Sequence, residues 1–145
     1  MGRQINMAGL ELIKSFEGCR LTAYKCPAGV WTIGYGHTGP DVKSGKTITS
    51  TEAEQLLKGD LDKFEDGVEK GIGTAAVTEN QFAAMVSLAF NIGLGGFLKS
   101  TVLRMHKAGK YELAANAFLL WVNGGGRQLP GLVRRRKAER TLYLK

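Results

Sequence analysis

The residues able to do chemistry gather in one stretch, 15–38, which reads SFEGCRLTAYKCPAGVWTIGYGHT. Glu17 stands out in it. Leu10, Ile13 and Phe16, widened by Leu12, repeat at helical spacing, so a helix over about 7–17 is expected with Asn6 as its N-cap. Glu17 follows Ile13 by four residues and shares that apolar face, and Gly18 then supplies the stop. A carboxyl so placed meets two effects at once: burial, and the negative end of the helix dipole. Both favour the neutral acid, the form a proton donor needs.

Other chemistries fit poorly. The GYGH segment, 34–37, follows an expected strand but opens no helix and lacks a Lys-Ser/Thr pair, which argues against a phosphate loop. His37 and His106 are the only histidines, and no CxxC or HxxxH spacing exists, so neither a metal site nor any other cofactor is expected. Two cysteines, Cys19 and Cys26, are too few for a disulfide scaffold. Lys and Arg outnumber Asp and Glu by 20 to 13, a formal +7, which predicts attraction to a polyanion: nucleic acid, anionic lipid or an anionic cell wall. Nothing resembles a helix-turn-helix or a base-stacking platform, so nucleic acid is not the expected partner. No apolar run reaches the ~18 residues of a membrane span, and the N-terminus lacks the apolar core of a secretory signal, so stable membrane insertion is not expected.

The elements that must position Glu17 can be read in order. Segments 21–25 and 30–35, joined by Cys26-Pro27-Ala28-Gly29, read as a β-hairpin, with 43–48 as a third short strand. Thr49 and Glu52 form a capping box for a helix to about Glu69, broken by Gly71-Ile72-Gly73. Thr78 caps the strongly apolar segment 81–92, the candidate for a central buried helix, which Gly93-Leu94-Gly95-Gly96 ends. Helices over 100–107 and 111–121, a glycine loop over 123–127 and a last helix over about 132–144 complete the chain. The expectation is an α+β fold in a single domain, 1–145, with its strands confined to a small N-terminal lobe over about 18–48. Residues 1–17 and 49–145 would form a larger helical lobe, with a binding groove between the two.

The motifs SFEG, AY and TIGYGHT, followed by ITSTEAEQLLKGDL, FNIGLGGF, STVLRMHKAGKYELAANAF, Trp121 and PGLVRRRKAERTLYL, resemble the phage-type lysozymes, or endolysins, over essentially the whole chain. The resemblance implies a lysozyme-like fold and a muramidase. Such an enzyme hydrolyses the β-1,4 bond between N-acetylmuramic acid and N-acetylglucosamine in peptidoglycan and lyses the host cell. The family signature is a Glu, an Asp nine residues later and a Thr six after that; here the positions hold Glu17, Cys26 and Thr32. Glu17 would be the general acid, and Thr32 would help to position the attacking water. Cys26 breaks the pattern and leaves three readings: a thiolate acting as base or nucleophile, a site that works through Glu17, Thr32 and water alone, or a crippled site with Cys26 a small buried hydrophobe. Cys19 reads as a core residue at the helix end, and a Cys19–Cys26 bridge formed in an oxidising periplasm would block the site.

The resemblance also implies supporting roles. His37 and Asp60 would form an ion pair, preferred here over a catalytic histidine. One arginine of the run 134–136, best assigned to Arg135, would pair with Glu17, although a solvated face is the default reading of such a run. Asn91 is either a polar residue of the substrate groove or a helix C-cap beside Gly93. Tyr24, Tyr35, Trp31 and Trp121 line the groove or belong to the core. The enzyme is expected as a monomer that waits in the host cytoplasm, depends functionally on a holin, and acts on the wall from the periplasm. The alternatives are a lytic transglycosylase using Glu17 alone, recognisable by 1,6-anhydro products, and a non-catalytic basic wall-binding module.

Overall fold

The computed structural model describes residues 2–145. Seven α-helices and two small antiparallel sheets follow in the order α1 (Met7–Glu17), β1 (Arg20–Lys25), β2 (Trp31–Gly34), β3 (His37–Thr38), α2 (Ser50–Ile72), α3 (Glu79–Ile92), α4 (Leu94–Leu98), α5 (Thr101–Lys107), α6 (Tyr111–Ala117), β4 (Asn123–Gly124), β5 (Arg127–Gln128) and α7 (Pro130–Tyr143). The chain divides into two compact units, one formed by residues 13–62 and the other by the segment up to Leu12 together with Lys63–Lys145. The division falls inside α1 and α2.

In the 13–62 unit, β1, β2 and β3 form an antiparallel sheet in that order. The turn closes as expected: Cys26 N–H donates to Val30 O at 3.0 Å, and Gly29 N–H donates to Cys26 O at 2.8 Å. The third strand is not 43–48. β3 takes that place, and 43–48 contributes one bridge, Thr22 with Thr47, on the other edge of β1. Ala23 N–H to Lys46 O and Ile48 N–H to Leu21 O, both 2.9 Å, hold it there. The β-branched residues of this segment thus satisfy an open edge without forming a ladder. At the start of α2 the capping box forms, with Glu52 N–H on Thr49 Oγ1 and Thr49 N–H on Glu52 Oε1.

The other unit is helical. α3 is buried from Phe82 to Ala89 and packs on α7, and α5 packs on α6. Thr78 and Gln81 cap α3 reciprocally. α2 runs on through Gly71 to Ile72 rather than breaking near Glu69. The physical reason is close approach: a Cβ on Gly67 would stand 2.5 Å from Leu94 Cδ2, and one on Gly71 2.7 Å from Leu98 Cδ2. These two glycines, one turn apart, form a flat strip on which α4 lies; they are packing residues, not breakers. Segment 93–96, expected only to end a helix, therefore opens α4. The expected glycine loop at 123–127 is a second hairpin, β4–β5, so strands are not confined to the N-terminal sheet. Segment 111–121 is α6 followed by a 3-10 turn, Phe118–Leu120.

Candidate active site

The 13–62 unit brings together seven of the nine candidate residues: Glu17, Tyr24, Cys26, Thr32, Tyr35, His37 and Asp60. Asn91 and Arg135 belong to the helical unit. Glu17 is the last residue of α1, with Gly18 N–H closing on Lys14 O at 3.1 Å and Gly18 at φ 71°. Glu17 is half-buried, and its Oε1 lies 3.5 Å from where a Cβ on Gly36 would stand. Gly36 has φ 85°, so the GYGH segment serves as a left-handed turn beside a carboxylate.

Thr32 lies on the central strand, opposite Tyr24 on one side and Thr38 on the other. It is buried, and its hydroxyl donates to Val30 O at 3.0 Å. Cys26 is a free, half-buried thiol at the turn. Hydrogen bonds from the backbone N–H groups of Val30 first, then Ala28, with a smaller contribution from the Thr32 hydroxyl, hold it below its ordinary value of 9.0. A hydroxyl carries one hydrogen, so Thr32 serves either the Val30 carbonyl or the Cys26 sulfur at a given moment. The turn thereby provides a local anion seat at the position where the sequence lacks its carboxylate.

A Cys19–Cys26 bridge is excluded by the strand between them. The two residues flank extended β1, seven residues apart, or about 23 Å at ~3.3 Å per residue, where a disulfide requires Cα atoms within roughly 7 Å. Cys19 is exposed, not a core residue, because the chain turns outward at Gly18. Burial first, and Cys19 next, raise the Tyr35 hydroxyl above its ordinary value, and Lys14 Nζ lies 5.6 Å from the Tyr35 ring centre. The Arg20 guanidinium stacks 4.3 Å over the Tyr24 ring.

His37 is gripped on both nitrogens. Nδ1 lies 2.8 Å from Asp60 Oδ2 and Nε2 lies 3.2 Å from Asp41 Oδ2. Burial opposes protonation, but the two carboxylates prevail and raise His37 above its ordinary 6.5. Asp41 was not among the residues singled out; its i,i+4 spacing from His37 carried no helical pattern that would have signalled it.

In the helical unit the arginine run is not a solvated face. Arg135 and Arg136 are buried around a wholly buried Glu139. Arg136 Nη1 donates to Glu139 Oε1 at 2.5 Å, Arg135 Nε donates to Oε2 at 3.2 Å, and Ser87 Oγ donates to the same oxygen at 2.5 Å. Sequence reading missed Glu139, although its i,i+3 and i,i+4 spacing from the two arginines was a usable signal. Asn91 is no C-cap. Gly93 ends α3, and Asn91 Oδ1 accepts a hydrogen bond from Arg136 Nη2. Among the described residues no group of three or more potential metal ligands exists.

A helix ending in a glutamate, a short antiparallel sheet and a helical body define a lysozyme-like fold. It is similar to that of the muramidase domain of SpmX from Asticaccaulis excentricus, at TM-score 0.90 and 41% identity, covering 99% of each chain. The phage lysozyme family model matches residues 14–139, and this chain belongs to that family. It is 49% identical over 142 residues to the endolysin of Bacillus phage B103, covering 97% of this chain and 54% of that one. It is 43% identical over 143 residues to the endolysin of Acyrthosiphon pisum secondary endosymbiont phage 1, covering 96% of this chain and 97% of that one. The chain spans about half the length of the Bacillus phage relatives it matches.

Proposed function

We propose that this chain is a peptidoglycan hydrolase that cleaves the β-1,4 bond between N-acetylmuramic acid and N-acetylglucosamine, with lysis of the bacterial wall as its outcome. Relatives named endolysins and a structural neighbour named a muramidase domain support the reading. Glu17 protonates the leaving glycosidic oxygen. Cys26, as thiolate, supplies the negative charge and the base or nucleophile that an aspartate supplies elsewhere in the family. Thr32 positions the attacking water. The observation that carries this division is the turn itself: the Val30 and Ala28 N–H groups favour the thiolate at position 26.

Turbidity loss of permeabilised Gram-negative cells tests the proposal. Glu17→Gln should lower the rate by about 100-fold or more, the usual contribution of a general acid. Cys26→Ala should be nearly as impaired, while Cys26→Asp should stay active and reach its maximum at lower pH. The wild-type rate should rise with pH as the thiol ionises and the Asp variant should not follow that rise. Full activity in Cys26→Ala removes Cys26 from the chemistry. Product analysis settles the reaction class: reducing ends support hydrolysis, and 1,6-anhydro ends would reassign the enzyme as a transglycosylase.

A further inference from the structure

Arg136 is wholly buried, yet every donor it uses has a different kind of partner. Nε donates to the backbone carbonyl of Trp121 at 2.8 Å, Nη1 to Glu139 Oε1, and Nη2 to Asn91 Oδ1. Glu139 cannot swing away, because its second oxygen is held by Ser87 Oγ and Arg135 Nε. The guanidinium is therefore clamped at three points by groups that are themselves fixed, within a single compact unit.

The consequence falls on Asn91. An amide can present either its oxygen or its NH2, and at an exposed helix end both orientations are ordinarily open. A guanidinium has donors and no acceptor, so only Oδ1 can face it. The Asn91 NH2 must then point away from Arg136, and Asn91 is exposed. The same guanidinium holds the backbone of Trp121, whose half-buried indole lies 3.5 Å from where a Cβ on Gly96 would stand. One buried charge thus fixes an outward-facing amide donor and anchors the chain beside an aromatic ring, the pairing that suits a sugar bearing an acetamido group.

We propose that Arg136 is a positioning residue that locks Asn91 as a hydrogen-bond donor to the carbonyl oxygen of an N-acetyl group on the glycan. The inference rests on the peptidoglycan reading above. Asn91 selects N-acetylated over de-N-acetylated sugars, and Arg136 makes that selection possible by removing the alternative amide orientation.

Binding to purified sacculi, native or chemically de-N-acetylated, tests it in a Glu17→Gln background, so that failure of the hydrolysis reading is scored separately by turnover of the unaltered enzyme. Asn91→Asp preserves shape but offers no donor, and Asn91→Leu does the same without adding charge. Both should bind native sacculi about fivefold to tenfold more weakly, the loss of one good hydrogen bond, and bind de-N-acetylated sacculi with little such loss. Arg136→Lys keeps a charge for Glu139 but lacks the fork, and should lose part of the same preference. In the active enzyme that variant should raise KM with kcat little changed. Unchanged native binding in both Asn91 variants, or equal losses on both kinds of sacculi, overturns the donor role. An Arg136→Lys protein that folds and retains the full N-acetyl preference overturns the positioning role, and if it does not fold the two Asn91 variants still decide the donor role.

Discussion

In the 13–62 unit His37 stands between Asp60 and Asp41, carboxylates that keep contact with water, whereas in the helical unit Glu139 is wholly buried between Arg135 and Arg136. Both are three-charge arrangements, but their physics differs. A partly exposed cluster is screened and can change protonation at modest cost. A buried one can hold its charges only if each lone pair and proton has a partner, and among the described residues no buried side-chain nitrogen or oxygen lacks one. The lesson is a division of labour: titratable chemistry sits where water can reach it, and rigid orientation is supplied where water cannot.

The sharpest way to break this comparison is to unpair the buried cluster. Glu139→Ala leaves two buried guanidinium groups facing a void, and should cost about 3–5 kcal/mol in denaturant unfolding. Asp60→Asn, at the exposed cluster, should cost far less. Equal losses would mean that burial does not distinguish the two regions.

The two histidines sharpen the same contrast through pH. His37 is raised by its carboxylates, so its contribution is complete below its ordinary 6.5 and is lost as pH rises through the raised folded value. His106 is buried, with Nε2 donating to Ala76 O at 3.0 Å and Nδ1 accepting from Tyr143 Oη at 2.7 Å. Burial lowers it, the Ala76 hydrogen bond opposing only in part. The unfolded chain therefore takes up a proton below 6.5 that folded His106 resists, and stability falls there as pH falls. Proton NMR should show two imidazole titrations, one on each side of 6.5. Coincident titrations near 6.5 would erase the distinction.

The smallest expected effect lies at the helix caps. Thr49→Ala and Thr78→Ala each remove one half of a capping box, at about 1 kcal/mol apiece. Similar shifts in melting temperature would show that local backbone satisfaction is the same in both regions and that only the handling of charge differs.

Much of this was legible in the residues because it depends on near neighbours. Helix α1 with Asn6 at its start, the capping boxes at Thr49 and Thr78, and the turn at 26–29 all follow from spacings of three or four residues. So did the outline of the candidate site, because Glu17, Cys26 and Thr32 lie within sixteen residues of chain. What resisted reading was decided by partners distant in sequence. Gly71 looks like a breaker until Leu98 is seen to need its missing side chain. The segment 43–48 looks like a strand until β3 is found in its place, and the arginine run looks solvated until Ser87 and Asn91 converge on it.

By itself the sequence determined the local grammar: where helices start, where the hairpin turns, and that a thiol occupies the position of the family's aspartate. Tertiary structure alone decided which charges are buried, that Cys19 and Cys26 are kept apart by an extended strand, and which way the Asn91 amide faces. The reason is physical. Capping and turn preferences act through bonds between neighbours, whereas desolvation and hydrogen-bond polarity are set by whatever the folded chain brings alongside.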